Sequence, residues 1–220
     1  MQKKSTQHAL SALVGFVVFA LFTLVVRFCD VRPIGPEGSS VGFAGLNALF
    51  AQGGVRAFWY ELTELLGAVS ILVAVCFAAV GLWQVVTRKS LRKVDPTLFV
   101  LAGFYVLVVL CYLFFEVVVI NCRPVLMDGV LEASYPSSHT VLTVCIMASA
   151  ATQLRLLLPH KPRLCRMAGV VCILLAMVTV FGRFRSGVHW PTDILGGIFL
   201  SLALVGVYEA GIAWVEEHRK

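Results

Sequence analysis

Two histidines, three arginines, two adjacent serines and one aspartate carry the chemistry this chain can do, and they fall in three short segments. Asn121-Cys122-Arg123-Pro124 offers one guanidinium fork. Tyr135-Pro136-Ser137-Ser138-His139 offers two hydroxyls and an imidazole just before an apolar run. The segment from Gly182 to Asp193 holds Arg183, Arg185, His189 and Asp193. Arginine keeps its charge and meets a phosphate oxygen pair with parallel N–H donors. A helix starting after Pro136 turns its free N–H groups and positive dipole end toward the same place. Ser137 and Ser138 add donors, and Ser138 is also suited to cap that helix. Together these are the parts needed to hold a phosphate. His139 and His189 then supply proton transfer or nucleophilic attack. His189 and Asp193 are four residues apart. If the following helix starts early they share a face, and a carboxylate on one imidazole nitrogen leaves the other free to attack.

Composition says what must position these residues. Of 220 residues, 59% are apolar and 14% charged, against about 25% charged in a soluble domain. A water-soluble globule could not cover so much apolar area, and a disordered chain would not contain it. The fold class expected is all-α: a polytopic membrane protein with six transmembrane helices in one bundle, forming a single domain over residues 1–220. The apolar runs are Ala9–Val26, Leu65–Val86, Thr97–Ile120, Thr140–Leu158, Met167–Phe181 and Ile194–Val215, each bounded by Pro, Gly or charge. The first is longer than a signal-peptide core and lacks a small-residue cleavage site, so it reads as a permanent span.

Six spans place both termini on one side. Twelve of the 18 Lys and Arg fall there: Lys3, Lys4, Arg88, Lys89, Arg92, Lys93, Arg155, Lys161, Arg163, Arg166, Arg219 and Lys220. The positive-inside rule makes that side cytoplasmic. The other side carries Arg27, Arg32, Arg56, Arg123, Arg183 and Arg185 and no lysine. All three chemical segments fall on this outer side. The longest outer loop runs from Phe28 to about Glu64. Its Val41–Phe50 stretch reads as a short interfacial helix, with a lid or lipid-entry wall as the alternative. The seven cysteines form no CxxC pair and read as small core residues, with a Cys29–Cys122 disulfide left open. His8, His160 and His218 read as solvated cytoplasmic residues.

At this point the residues resemble the type 2 phosphatidic acid phosphatase superfamily. Its signature is Lys, six residues, Arg-Pro; then Pro-Ser-Gly-His; then Ser-Arg, five residues, His, three residues, Asp. Arg123-Pro124 matches the end of the first element. Pro136-Ser137-Ser138-His139 matches the second, with Ser138 in place of Gly. Arg183, His189 and Asp193 match the third. Two departures stand out: Glu116 occupies the Lys position and Gly182 the Ser position. The resemblance implies that His189 attacks phosphorus, Asp193 orients it, and His139 protonates the leaving oxygen and then activates water. Arg123, Arg183, Ser137 and Ser138 would hold the phosphate oxygens. Glu116 is expected to pair with an arginine, and Arg185 is the preferred substitute for the missing cation. No cofactor, metal or nucleic-acid partner is expected. The expected substrate is a membrane lipid phosphate or diphosphate in the bilayer, with a polyprenyl diphosphate first and phosphatidic acid or phosphatidylglycerol phosphate next. A non-catalytic lipid-binding or transport protein on the same fold is the alternative of another class.

Overall fold

Helix boundaries follow the punctuation of the sequence. The computed structural model describes residues 3–51 and 53–219, so Lys220, counted above among the cytoplasmic basic residues, lies outside it. Among the described residues there are seven α-helices: α1 (Lys4–Phe28), α2 (Ala44–Leu49), α3 (Ala57–Arg88), α4 (Pro96–Val117), α5 (Ser138–Leu157), α6 (Pro162–Ser186) and α7 (Pro191–His218). All but α2 are long and apolar enough to cross a membrane. Proline opens α4, α6 and α7, where its missing N–H would have no helical partner anyway. Asp95 caps α4 by accepting from the Thr97 N–H at 3.0 Å. Gly187 ends α6 with φ 77°, a left-handed conformation that glycine adopts without cost.

Helices α5 and α7 form the centre. Half of the apolar stretch of α5 and 44% of that of α7 are buried, against 17–22% in the other spans. Helix α1 packs along α7, and α5 touches α3, α4, α6 and α7. The α1–α7 approach is close: a Cβ on Gly206 would meet Ala12 at 3.0 Å. Such small-residue contacts hold spans together where lipid removes any hydrophobic drive between helices. The two chain ends meet at one end of the bundle, where Ser5 donates to Glu217 and Arg219 pairs with Asp95.

The opposite end is built from three connections. Residues 121–134 form an irregular hairpin. Met127 and Val130 bond each other across Asp128 (φ 50°) and Gly129 (φ 79°), the backbone of a tight primed turn. The first loop is tied to it, since the Gly42 N–H donates to Asn121 Oδ1 at 3.1 Å. The short helix expected at Val41–Phe50 is present as α2. Its Asn47 is fully buried and donates to Thr192 Oγ1 at 3.0 Å, so α2 braces the first turn of α7.

Two expectations need correction. The second span begins at Ala57, not Leu65. Glu61 and Glu64 interrupt the apolar pattern without breaking the helix, so Phe58, Trp59 and Tyr60 belong to α3 and not to the loop. The cysteines are all free thiols, and only Cys145, Cys165 and Cys172 are buried; Cys29 is exposed and unpaired with Cys122.

Candidate active site

The first turn of α7 builds one half of the site. Trp190 is the N-cap, and its N–H donates to Asp193 Oδ2 at 2.9 Å. The same oxygen lies 3.6 Å from His189 Nδ1. On the other edge of the ring, Arg183 Nη2 approaches His189 Nε2 at 3.1 Å. A guanidinium has only donors, so Nε2 must accept, and the proton of a neutral ring sits on Nδ1 beside Asp193. The Nε2 lone pair therefore points to the place where Arg183 offers its N–H groups. Burial holds His189 well below the ordinary imidazole pKa, and the charges of Arg183, Arg123 and His139 reinforce it. Both effects favour the neutral ring.

Arg183, in the last turn of α6, has no exposed surface. Its second nitrogen, Nη1, donates to Glu64 Oε1 at 2.9 Å and to Thr63 Oγ1 at 3.3 Å, and its guanidinium lies over the Tyr60 ring. His139 sits in the first turn of α5, with Nε2 3.3 Å from the same Glu64 oxygen. One carboxylate oxygen thus bridges the arginine and the second histidine. Close helix approach makes this possible. A Cβ on Gly67 would lie 2.9 Å from the His139 ring, and one on Gly182 would lie 2.5 Å from Thr63. The Gly182 departure from the signature is therefore a packing requirement of α3 against α6.

The remaining candidates divide. Arg123 is mostly buried, pairs with Glu132 at 2.9 Å across the hairpin, and directs Nη1 to the Val188 carbonyl beside His189. Ser138, like His139 and His189, lines a cavity of about 440 Å³. Ser137 is fully buried. Its hydroxyl accepts from Thr140 at 3.1 Å and its N–H donates to the Asp193 carbonyl at 3.0 Å, so it joins the starts of α5 and α7. Arg185 is half-buried on α6 and is not among the cavity-lining residues. Glu116 does line the cavity, but among the described residues it forms no ion pair. The expected Glu116–arginine pair is therefore absent: Glu64 and Glu132 hold Arg183 and Arg123 instead.

The cavity runs from this polar cluster into the membrane-spanning layer between α3, α4 and α5. Its deeper walls include Ile71, Val108 and Leu200. A polar head with an apolar corridor suits a ligand that has a charged group on a hydrocarbon tail.

The six-span bundle and this histidine–arginine cluster define the class. The chain belongs to the PAP2 superfamily, whose family model matches residues 72–215. A segment is similar to lipid phosphate phosphatase delta of Arabidopsis thaliana, with 29% identity over 83 residues. That match covers 37% of this chain and 20% of the plant protein, so the chain spans about a fifth of that relative's length. The fold is similar to the crystal structure of the first transmembrane PAP2 type phosphatidylglycerolphosphate phosphatase, from Bacillus subtilis. The TM-score is 0.62 at 20% identity, over 96% of this chain and 98% of that one.

Proposed function

We propose that this chain is a membrane lipid phosphatase working through a phosphohistidine. His189 Nε2 attacks the phosphorus of a lipid phosphate or diphosphate, and the bond from phosphorus to the leaving oxygen breaks. His139 Nε2 gives its proton to that oxygen. It then takes a proton from a water, which attacks the phosphohistidine, releases inorganic phosphate and restores His189. Asp193 keeps the proton on His189 Nδ1 and balances the charge as the ring becomes cationic. Arg183, Arg123, Ser138 and the N–H groups at the start of α5 stabilise charge on the transferring phosphoryl oxygens, which is where most of the rate in phosphoryl transfer arises, while the buried Ser137 holds the starts of α5 and α7 together. Arg185 would join this group only after reorientation. The scheme calls for no metal or cofactor.

The observation that carries this reading is the placement of Arg183 against His189 Nε2 at 3.1 Å, with Asp193 on the opposite edge of the ring. The substrate's tail would lie in the apolar corridor. With the termini cytoplasmic, as the lysine distribution implies, the site faces outward and suits recycling of a polyprenyl diphosphate such as undecaprenyl diphosphate. Phosphatidylglycerol phosphate is the second reading, favoured by the shared architecture with a phosphatase of that lipid; phosphatidic acid is a third. The grouping of His139, His189 and Asp193 supports catalysis over the rival reading of a lipid-binding or transport protein.

The test is phosphate release by purified protein from these three lipids, in detergent with a chelator, beside His189→Ala. Release from at least one lipid, lost in the variant, supports the reading. No release, or release unaffected by the substitution, overturns it.

A further inference from the structure

The two histidine–carboxylate pairs of the site face opposite ways. Asp193 stands on the Nδ1 edge of His189, away from the nitrogen that would attack. Glu64 stands on the Nε2 edge of His139, at 3.3 Å, on the nitrogen that must give its proton to a leaving oxygen. The same Glu64 oxygen takes the Arg183 Nη1 donor at 2.9 Å. Arg183 turns its other nitrogen to the attacking atom of His189. An oxygen in contact with the acid His139, the clamp Arg183 and the neighbourhood of His189 Nε2 occupies the place a substrate oxygen needs.

We propose that Glu64 is a resident stand-in for a substrate phosphoryl oxygen, holding Arg183 and His139 ready and giving up its place when the phosphate binds. This rests on the phosphatase reading of the same site. Its chemistry is consistent: a carboxylate and a phosphate present the same acceptor to a guanidinium. Both cannot stay, since an anionic phosphate beside an anionic carboxylate is repelled. The side chain can leave, because 43% of it is exposed toward the cavity, whereas its partner Arg183 is 1% exposed and fixed. Thr63 and Tyr60, the other partners of Arg183, remain to hold the guanidinium after Glu64 withdraws. Glu64 is a positioning residue in the free protein and a competitor during binding. The N-terminal part of α3 thereby belongs to the working site, although it lies outside the three signature segments.

A competitor that must be displaced weakens apparent affinity by the fraction of molecules in which it has withdrawn. Removing its charge should therefore tighten binding. The experiment is calorimetric titration of purified full-length protein with inorganic phosphate, for the wild type, Glu64→Gln and Glu64→Asp. Lipid kinetics are measured on the same preparations. The aspartate keeps the charge but is one methylene short of Arg183, so it serves if the amide disturbs folding. The expected result is a fall in the phosphate Kd of about fivefold in Glu64→Gln and less in Glu64→Asp, with KM falling in parallel. Unchanged or weaker phosphate binding, or a loss in kcat with KM constant, overturns the stand-in role. If the wild type binds phosphate and turns over lipid but the variants gain nothing, only this inference falls. If no protein binds phosphate or releases it from lipid, the phosphatase reading falls as well.

Discussion

The two ends of the bundle hold charge in opposite ways. Where the chain ends meet, ionised groups stay in contact with water: Arg219 is 47% exposed while it pairs with Asp95, and Ser5 and Glu217 bond at the surface. At the other end, Arg183 and Asp193 are all but excluded from solvent, with the neutral His189 ring between them. Exposed pairs are worth about 0–1 kcal/mol because water competes for both partners. Buried charges carry a desolvation cost of several kcal/mol per ion, so they persist only when well partnered or when function requires them. The site end spends folding stability on a fixed arrangement of donors. The other end leaves its charge in contact with water.

That contrast can be broken at either end. The largest effect should come from Arg183→Lys. An ammonium keeps the charge but cannot serve Glu64, Thr63 and His189 together, as the guanidinium does with its planar fork. The expected loss in kcat/KM for lipid phosphate release is about 100-fold or more, with the protein still folded. Activity within a few-fold of wild type would mean that the buried fork is structural only. The smallest effect should come from Asp95→Ala at the opposite end. It removes the cap of α4 and the exposed pair with Arg219, at a cost of about 1 kcal/mol. The melting temperature in detergent should fall by a few degrees while kcat and KM stay unchanged. A large change in kcat there would show that the ends are coupled.

Much of this was legible in the sequence, and the gaps have physical reasons. The six spans follow from apolar runs bounded by Pro, Gly and charge. His189 and Asp193 were readable because their relation is local: four residues across a helix start. Glu64 was not readable. The unbroken apolar run starts only at Leu65 although the helix starts at Ala57, and the place of Glu64 beside Arg183 arises from α3 packing against α6, a contact that no local pattern encodes. Its clue was a carboxylate in the outer turns of a span, one helical turn ahead of the small Gly67. Glu132 was more accessible. Asp128-Gly129 is a strong hairpin signal, although regular pairing from it would set residue 134 opposite residue 123, and the irregular hairpin shifts the register so that Arg123 meets Glu132. Glu116 was readable as an anomaly, but its expected ion pair was not, because the hairpin and α3 supply closer carboxylates to both arginines.

The central claim is that His189, not water, attacks the phosphorus first. The stereochemical course of hydrolysis tests it most directly, using a lipid phosphate made chiral at phosphorus with oxygen isotopes and sulfur. Two successive in-line displacements, on His189 and then by water, predict overall retention of configuration in the released thiophosphate. Inversion would mean a single direct attack by water and would contradict the account.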